Sequence, residues 1–117
     1  MTANKRTVDD YMEGFRHSDR VRILECLTED VVWIVPGAFH VRGKTDFAAH
    51  IVDDGFVGKP EIAVSRLVEE HDVVVAEGSV RTHRTDGGML NLVFCDVFEL
   101  RDAKIRRLVS YLMEIKS

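Results

Sequence analysis

VVVAEGSVRTHRTDGGMLNLVFCDVFEL, residues 73–100, is the stretch from which the rest of the chain can be read. Its two halves are rich in β-branched and aromatic residues, and Asp86-Gly87 interrupts them. Such a pattern encodes two strands and a tight turn, because Asp-Gly tolerates the positive φ that hairpin turns require. A two-residue turn sets Thr85 opposite Gly88, and hence Arg81 opposite Leu92, Ser79 opposite Phe94 and Glu77 opposite Asp96. Opposed residues share a face of the sheet. One face then gathers Glu77, Ser79, Arg81 and His83 with Leu90, Leu92, Phe94, Asp96, Phe98 and Leu100. The other gathers Val74, Ala76, Gly78, Val80 and Thr82 with Asn91, Val93, Cys95 and Val97. A three-residue turn would invert this pairing.

The first set mixes bulky apolar groups with ionisable ones, as the wall of a ligand pocket does. The second is small and β-branched, suited to packing against a flat surface such as a second copy of the chain.

Outward from the hairpin, strand texture continues near 61–70 and 104–115, with turn signals at His71-Asp72 and Arg101-Asp102. Upstream, Val31-Val32-Trp33-Ile34-Val35 is a further strand, stopped by Pro36-Gly37. The N-terminal third is helical. Thr7 is the expected cap of a helix whose stripe is Val8, Tyr11, Met12 and Phe15. After His17-Ser18-Asp19 comes a second short helix with Val21, Leu24 and Leu27 inward. Thr45 is the expected cap of a third, carrying Phe47, Ala48 and Ile51 and ending near Asp53-Asp54-Gly55. Helices first and a meander after them is α+β order. The expectation is a single domain over 1–117: a cone-like, curved antiparallel sheet with about three N-terminal helices on its concave face.

Composition narrows the function. With 45% hydrophobic and 31% charged residues in 117, the chain can bury a core without staples. A formal charge of -4 offers no basic footprint, so no nucleic-acid partner is expected. No run reaches membrane length and the N-terminus has no apolar leader core, which points to the cytoplasm. Cys26 and Cys95 lack metal-type spacing and read as two buried free thiols. The five histidines show no metal-ligand spacing either, so neither metal nor cofactor is expected.

The order of elements resembles the nuclear-transport-factor-2-like superfamily and its SnoaL-like (polyketide-cyclase-like) and ketosteroid-isomerase-like branches. The resemblance is carried by Tyr11 to Asp19, Leu27 to Trp33, Pro36-Gly37, Arg42-Gly43-Lys44, and Asp96 to Leu100 leading to Lys104-Ile105. It covers nearly the whole chain, with Ala103 standing where a glycine is common. Similarity to ketosteroid isomerase, a worked example of carboxyl pKa tuning, implies that Tyr11 and Asp96 occupy its oxyanion-hole positions. Val35 stands where that enzyme has its catalytic base, and Ile51 where it has a supporting tyrosine. Steroid isomerisation by the usual mechanism is therefore not expected. Resemblance to limonene-type epoxide hydrolases runs through Asn91-Leu92 and Val97 to Tyr111. It places Gly78, Val80 and Ser110 near their Asp-Arg-Asp set, so that triad is absent.

Two readings stand side by side for each candidate. Asp96 interrupts an apolar face between Phe94 and Phe98, where a carboxyl must be neutralised or paired. It is either a pocket acid, protonated or paired with Arg81, or a structural carboxylate held by Arg81 or the backbone. Tyr11 is either a core aromatic or a donor beside Asp96. His83 could act as a general base, although its place near the hairpin tip favours solvent. Glu77 could pair with Asp96 or with Arg81. Phe15, Trp33, Val35, Ile51, Glu77, Arg81, Phe94 and Ser110 complete the expected pocket lining. His40 and His50 flank its mouth.

Catalytic roles fall on Asp96, Tyr11 and His83 in the enzymatic reading: a cofactor-independent isomerase, cyclase, dehydratase or hydrolase for a small apolar, oxygen-bearing molecule. The alternative is a non-catalytic ligand-binding or dimerisation module, with a homodimer formed through the convex sheet.

Overall fold

Three turns join the four long strands, and they are not built alike. In the computed structural model, which describes residues 1–51 and 56–116, these strands are β3 (Phe56–Glu70), β4 (Val73–Arg84), β5 (Met89–Arg101) and β6 (Lys104–Glu114). They are preceded by β1 (Leu27–Val35) and β2 (Phe39–Arg42). The turn between β3 and β4 is the residue pair His71-Asp72, with φ of 50° and 61°. That between β5 and β6 is Asp102-Ala103, with φ of 52° and 58°. Both are two-residue turns with two positive φ values, whose twist matches that of the flanking strands.

The β4–β5 turn differs, and the register expected from the sequence is wrong there. Arg84 N donates to Gly88 O at 2.8 Å, which leaves a three-residue loop of Thr85, Asp86 and Gly87. Only Gly87 in this loop takes a positive φ, +91°, the conformation that favours glycine. The Asp86 carboxylate instead accepts from Gly88 N at 2.8 Å. This side-chain bond offers aspartate an alternative to the left-handed turn. The pairing moves by one residue, so Gly78 opposes Phe94, Ala76 opposes Asp96 and Glu77 opposes Cys95. Val74, Ala76, Gly78, Val80 and Thr82 therefore share the face of Leu90 through Leu100, and Glu77, Ser79, Arg81 and His83 lie on the opposite one.

The sheet order is β2-β1-β6-β5-β4-β3. All neighbours are antiparallel except β1 and β6, which run parallel, so the sheet is mixed rather than wholly antiparallel. The helices α1 (Ala3–Arg16), α2 (Arg20–Glu25) and α3 (Lys44–Ala49) cover one face, α1 against β3, β4 and β6 and α3 against β1 and β2. The core between them is Val8, Tyr11, Met12, Ile23, Val31, Phe47, Phe98, Ile105 and Leu108 with their neighbours.

Helix boundaries differ from expectation in detail. Thr2, not Thr7, caps α1 by accepting from Lys5 N at 3.1 Å. Thr7 lies inside the helix and donates to Ala103 O at 2.7 Å, fastening α1 to the last turn. Asn4 fastens the same end, donating to Glu69 and Asp72 at 3.0 and 2.9 Å. In α2 Ile23 is fully buried and Leu24 packs partly buried against the core as expected, whereas Val21 is exposed; Leu27 is buried as expected but opens β1. Gly43, not Thr45, precedes α3, which has no side-chain cap. The Asp53-Asp54-Gly55 cluster lies outside the described residues.

Candidate functional site

Asp96 is held on the helix-covered face because β5 alternates strictly there: Phe94, Asp96, Phe98 and Leu100 are buried, and the residues between them are less so. Its strand neighbours are Ala76 on β4 and Ser110 on β6. Above it α1 presents Tyr11, Met12 and Phe15. A cavity of about 120 Å³ lies between, lined by Tyr11, Met12, Phe15, Trp33, Ile62, Val80, Phe94, Asp96, Ser110 and Leu112.

Aromatic rings form most of its wall. Tyr11 meets Phe15 at 5.0 Å and Phe98 edge-on at 5.4 Å between centroids. Trp33 stacks on Phe47 at 4.3 Å and meets Phe39 edge-on at 5.1 Å. Such geometries are favourable for aromatic quadrupoles and keep the wall rigid. Phe94 lies over Gly78, where a Cβ would come within 2.7 Å of the ring and 2.1 Å of Ala63 O. A residue larger than glycine cannot sit there while Phe94 holds its place.

The polar content of the cavity is small. The Asp96 carboxyl is pushed up to about 7 by burial, against which the Ser110 hydroxyl acts by favouring the ionised form. Its Oδ1 is buried and has no hydrogen-bond partner among the described residues. An orphan oxygen is much more costly on a carboxylate than on a neutral acid, so burial and the missing partner act in one direction. Burial also raises Tyr11 well above the ordinary tyrosine value, with the Asp96 charge adding to it. Ser110 accepts the indole N–H of Trp33 at 3.0 Å. A phenol, a serine hydroxyl and a carboxyl pushed up to about 7 thus share a mostly apolar cavity.

The structure brings together Asp96, Tyr11, Phe15, Trp33, Phe94 and Ser110 as the sequence suggested. It does not bring His83, Glu77 or Arg81. The three-residue loop turns all three to the opposite face, so none pairs with Asp96. Glu77 is paired with Arg66 at 2.7 Å. Arg81 donates to the Met89 sulfur, and His83 is exposed. Val35 belongs to the hydrophobic core and Ile51 packs against that core; neither lines the cavity. His40 is exposed, and His50 lies against Phe39 at 4.4 Å.

Met12, Ile62, Val80 and Leu112 line the cavity although sequence reasoning did not name them for it. Met12 was on the correct helical stripe. Val80 comes to this face through the one-residue shift in register, which pairs it with Leu92. Leu112 follows from Ser110 by strand alternation, and Ile62 from its pairing with Val80.

Cys26 is buried, with its thiol pushed up to about 12 first by burial and then by Asp10, which makes it a poor nucleophile. Cys95 is half-buried on the opposite face rather than fully buried. Among the described residues no three His, Cys, Asp or Glu side chains converge as metal ligands would. A larger groove of about 460 Å³ runs past Ser65, Glu77, Val93, Cys95, Tyr111 and Met113.

Three helices on a curved mixed sheet define the nuclear-transport-factor-2-like fold, and here a buried acid faces the helices. The chain belongs to the SnoaL-like domain family, whose model matches residues 8–108. No curated protein matches it by sequence. Among solved structures it is similar to an epoxide hydrolase of Mycobacterium tuberculosis of the LEH-like type, with a TM-score of 0.83 and 19% identity over 95% of this chain and 83% of that one. A proposed polyketide cyclase from Xanthomonas campestris matches with a TM-score of 0.83 and 22% identity over 93% and 89% of the two chains. A protein of unknown function from Burkholderia pseudomallei matches with 0.85 and 20% over 97% and 92%. At these identities the likeness concerns the fold.

Proposed function

We propose that the protein acts on a small, neutral, largely apolar molecule bearing one acceptor oxygen, and that it catalyses proton transfer on it without a cofactor, as an isomerase or cyclase does. The observation that carries this reading is Asp96: a buried carboxyl with an unpartnered oxygen, in a cavity walled by aromatic rings, where burial pushes it up to about 7. A group with a pKa near the working pH serves as acid and as base with least loss in either role. Tyr11 supplies a second donor, able to polarise a carbonyl. With His83 and Glu77 on the far face, Asp96 is the proton-transfer group in this scheme. The roles of the resembled enzymes do not carry over: Val35 cannot act as a base, and Gly78, Val80 and Ser110 cannot supply an Asp-Arg-Asp set.

The cavity volume limits the ligand. An apolar cavity of ~150 Å³ accommodates benzene, so a cavity of about 120 Å³, partly open to solvent, takes no more than one small ring with part of it outside. Cyclohexanone is a suitable probe. Exchange of its α-hydrogens for deuterium in heavy water, followed by NMR, should run faster with the protein than with buffer. Asp96→Asn, which keeps a donor but cannot cycle a proton, should abolish the acceleration. Equal rates with and without protein, alongside binding of the probe, would leave a binding module in place of an enzyme.

A second reading, a homodimer through the convex face, is supported by the solvent-exposed Val93, Tyr111 and Met113 on that side. Ion pairs of Glu77 with Arg66 and of Glu99 with Arg107 rim it. Sedimentation at micromolar concentration should give a dimer that Tyr111→Asp dissociates; a monomer of the wild type would remove this reading. A cytoplasmic setting suits the two free thiols.

A further inference from the structure

Trp33 does two things at once. Its ring is cavity wall, and its indole N–H donates to Ser110 Oγ at 3.0 Å in a bond buried at both ends. An indole nitrogen only donates, so Ser110 must be the acceptor in that contact. The serine hydroxyl keeps its own proton to give, and its strand partner is Asp96.

We propose that Trp33 and Ser110 form a positioning relay for Asp96, in which the indole N–H holds the serine hydroxyl so that its proton is directed at the carboxyl. The aromatic wall is thereby tied to the proton state of the acid beside it. The inference rests on the reading of Asp96 as the working group of the pocket. It adds that a ligand pressing on Trp33 changes the acid–base character of Asp96 through Ser110, without touching the carboxyl.

The surroundings leave few other routes for such coupling. Asp96 is met by Tyr11 from α1, by Ala76 from β4 and by Ser110 from β6. Trp33 is met by Phe15 from α1, Phe39 from β2 and Phe47 from α3. The nearest histidine in this chain of contacts is His50, which packs on Phe39. Influence of the Ser110 hydroxyl in favour of ionised Asp96 agrees with the relay.

Trp33 is the sole tryptophan, so its indole N–H gives one NMR resonance, readable in the full-length protein without any ligand. That resonance should shift with pH at the same midpoint as the Asp96 carboxyl carbon. In Asp96→Asn the shift should vanish. In Ser110→Ala the indole should stop responding, and the Asp96 midpoint should rise by about one pH unit, the scale of one hydrogen bond to a charged group. Ser110→Thr, which keeps the hydroxyl, should restore both.

An indole resonance that stays flat while Asp96 titrates overturns the relay. So does a response that survives Ser110→Ala, which would make it a through-space effect, or one that survives Asp96→Asn, which would assign it to His50. A carboxyl that does not titrate between about pH 5 and 9 overturns it as well. The deuterium exchange of cyclohexanone is measured at one pH in the wild type and succeeds or fails separately.

Discussion

The two faces of the β4–β5 pair carry the same kinds of residue to opposite ends. On the concave face Asp96 is 8% exposed and has an oxygen without a partner. On the convex face Glu77, on the neighbouring strand, is half in solvent and paired with Arg66. Phe94 is closed over Gly78 on one side, while Tyr111, beside Cys95 on the adjoining β6, stands 52% exposed on the other. The difference teaches that function here does not follow residue type. It follows parity along the strand, and for β4 one extra residue in the Thr85-Asp86-Gly87 loop decides it.

The largest contrast should appear in stability. Phe98→Ala, at a fully buried position touching Tyr11, should destabilise by about 3–5 kcal/mol in urea unfolding. Tyr111→Ala on the convex face should change a monomer by about 0.5 kcal/mol or less. A similar loss at both positions would erase the distinction between the faces.

Gly78→Ala should cost about 1–3 kcal/mol, because the new methyl meets a backbone oxygen that can move little. It should also disturb the Phe94 ring and with it the cavity. Ser79→Ala, one residue along and facing out, should be neutral in the same thermal melt.

A third contrast is in pH dependence. Asp96 has a folded value of about 7 against an ordinary 3.8, so the native state holds the proton more tightly than the unfolded chain. Stability linked to this group is present below about pH 4 and is lost as pH rises through about 7. Asp96→Asn removes that loss. Allowing for an amide that is itself imperfectly satisfied, the variant should be more stable than wild type by about 1–3 kcal/mol at pH 8, with the gain shrinking toward pH 5. Chemical denaturation at the two pH values checks this. The smallest effect belongs to Glu77→Gln, which breaks one exposed ion pair and should shift stability by less than about 1 kcal/mol.

Much of the molecule was legible in the sequence. The strands from 61 onward, the turns at His71-Asp72 and after Arg101, and the α1 stripe of Val8, Tyr11 and Met12 follow from periodicity and turn chemistry. So does the inward direction of Asp96, because Phe94, Phe98 and Leu100 fix the parity of β5 by themselves. Strand β4 was not legible. Its even positions, Val74 to Thr82, are small and its odd positions are a mixture, so neither set declares itself core. The face of β4 then depends on the loop, and Asp-Gly serves equally in a two-residue turn and in a three-residue loop with glycine last. His83, Glu77 and Arg81 went to the wrong face together for that reason. The Trp33–Ser110 bond joins residues 77 positions apart, and no local pattern announces it.

The most direct test of a neutral acid at the bottom of the pocket is the affinity for cyclohexanone measured between pH 5.5 and 8.5. A neutral ligand that displaces water over Asp96 disfavours its ionised form, while Tyr11 serves the ligand's acceptor oxygen. Binding by the wild type should therefore hold steady below about 7 and weaken above it, approaching tenfold per pH unit, while Asp96→Asn binds equally across the range. A wild-type affinity that is flat, or that strengthens as pH rises, contradicts the account.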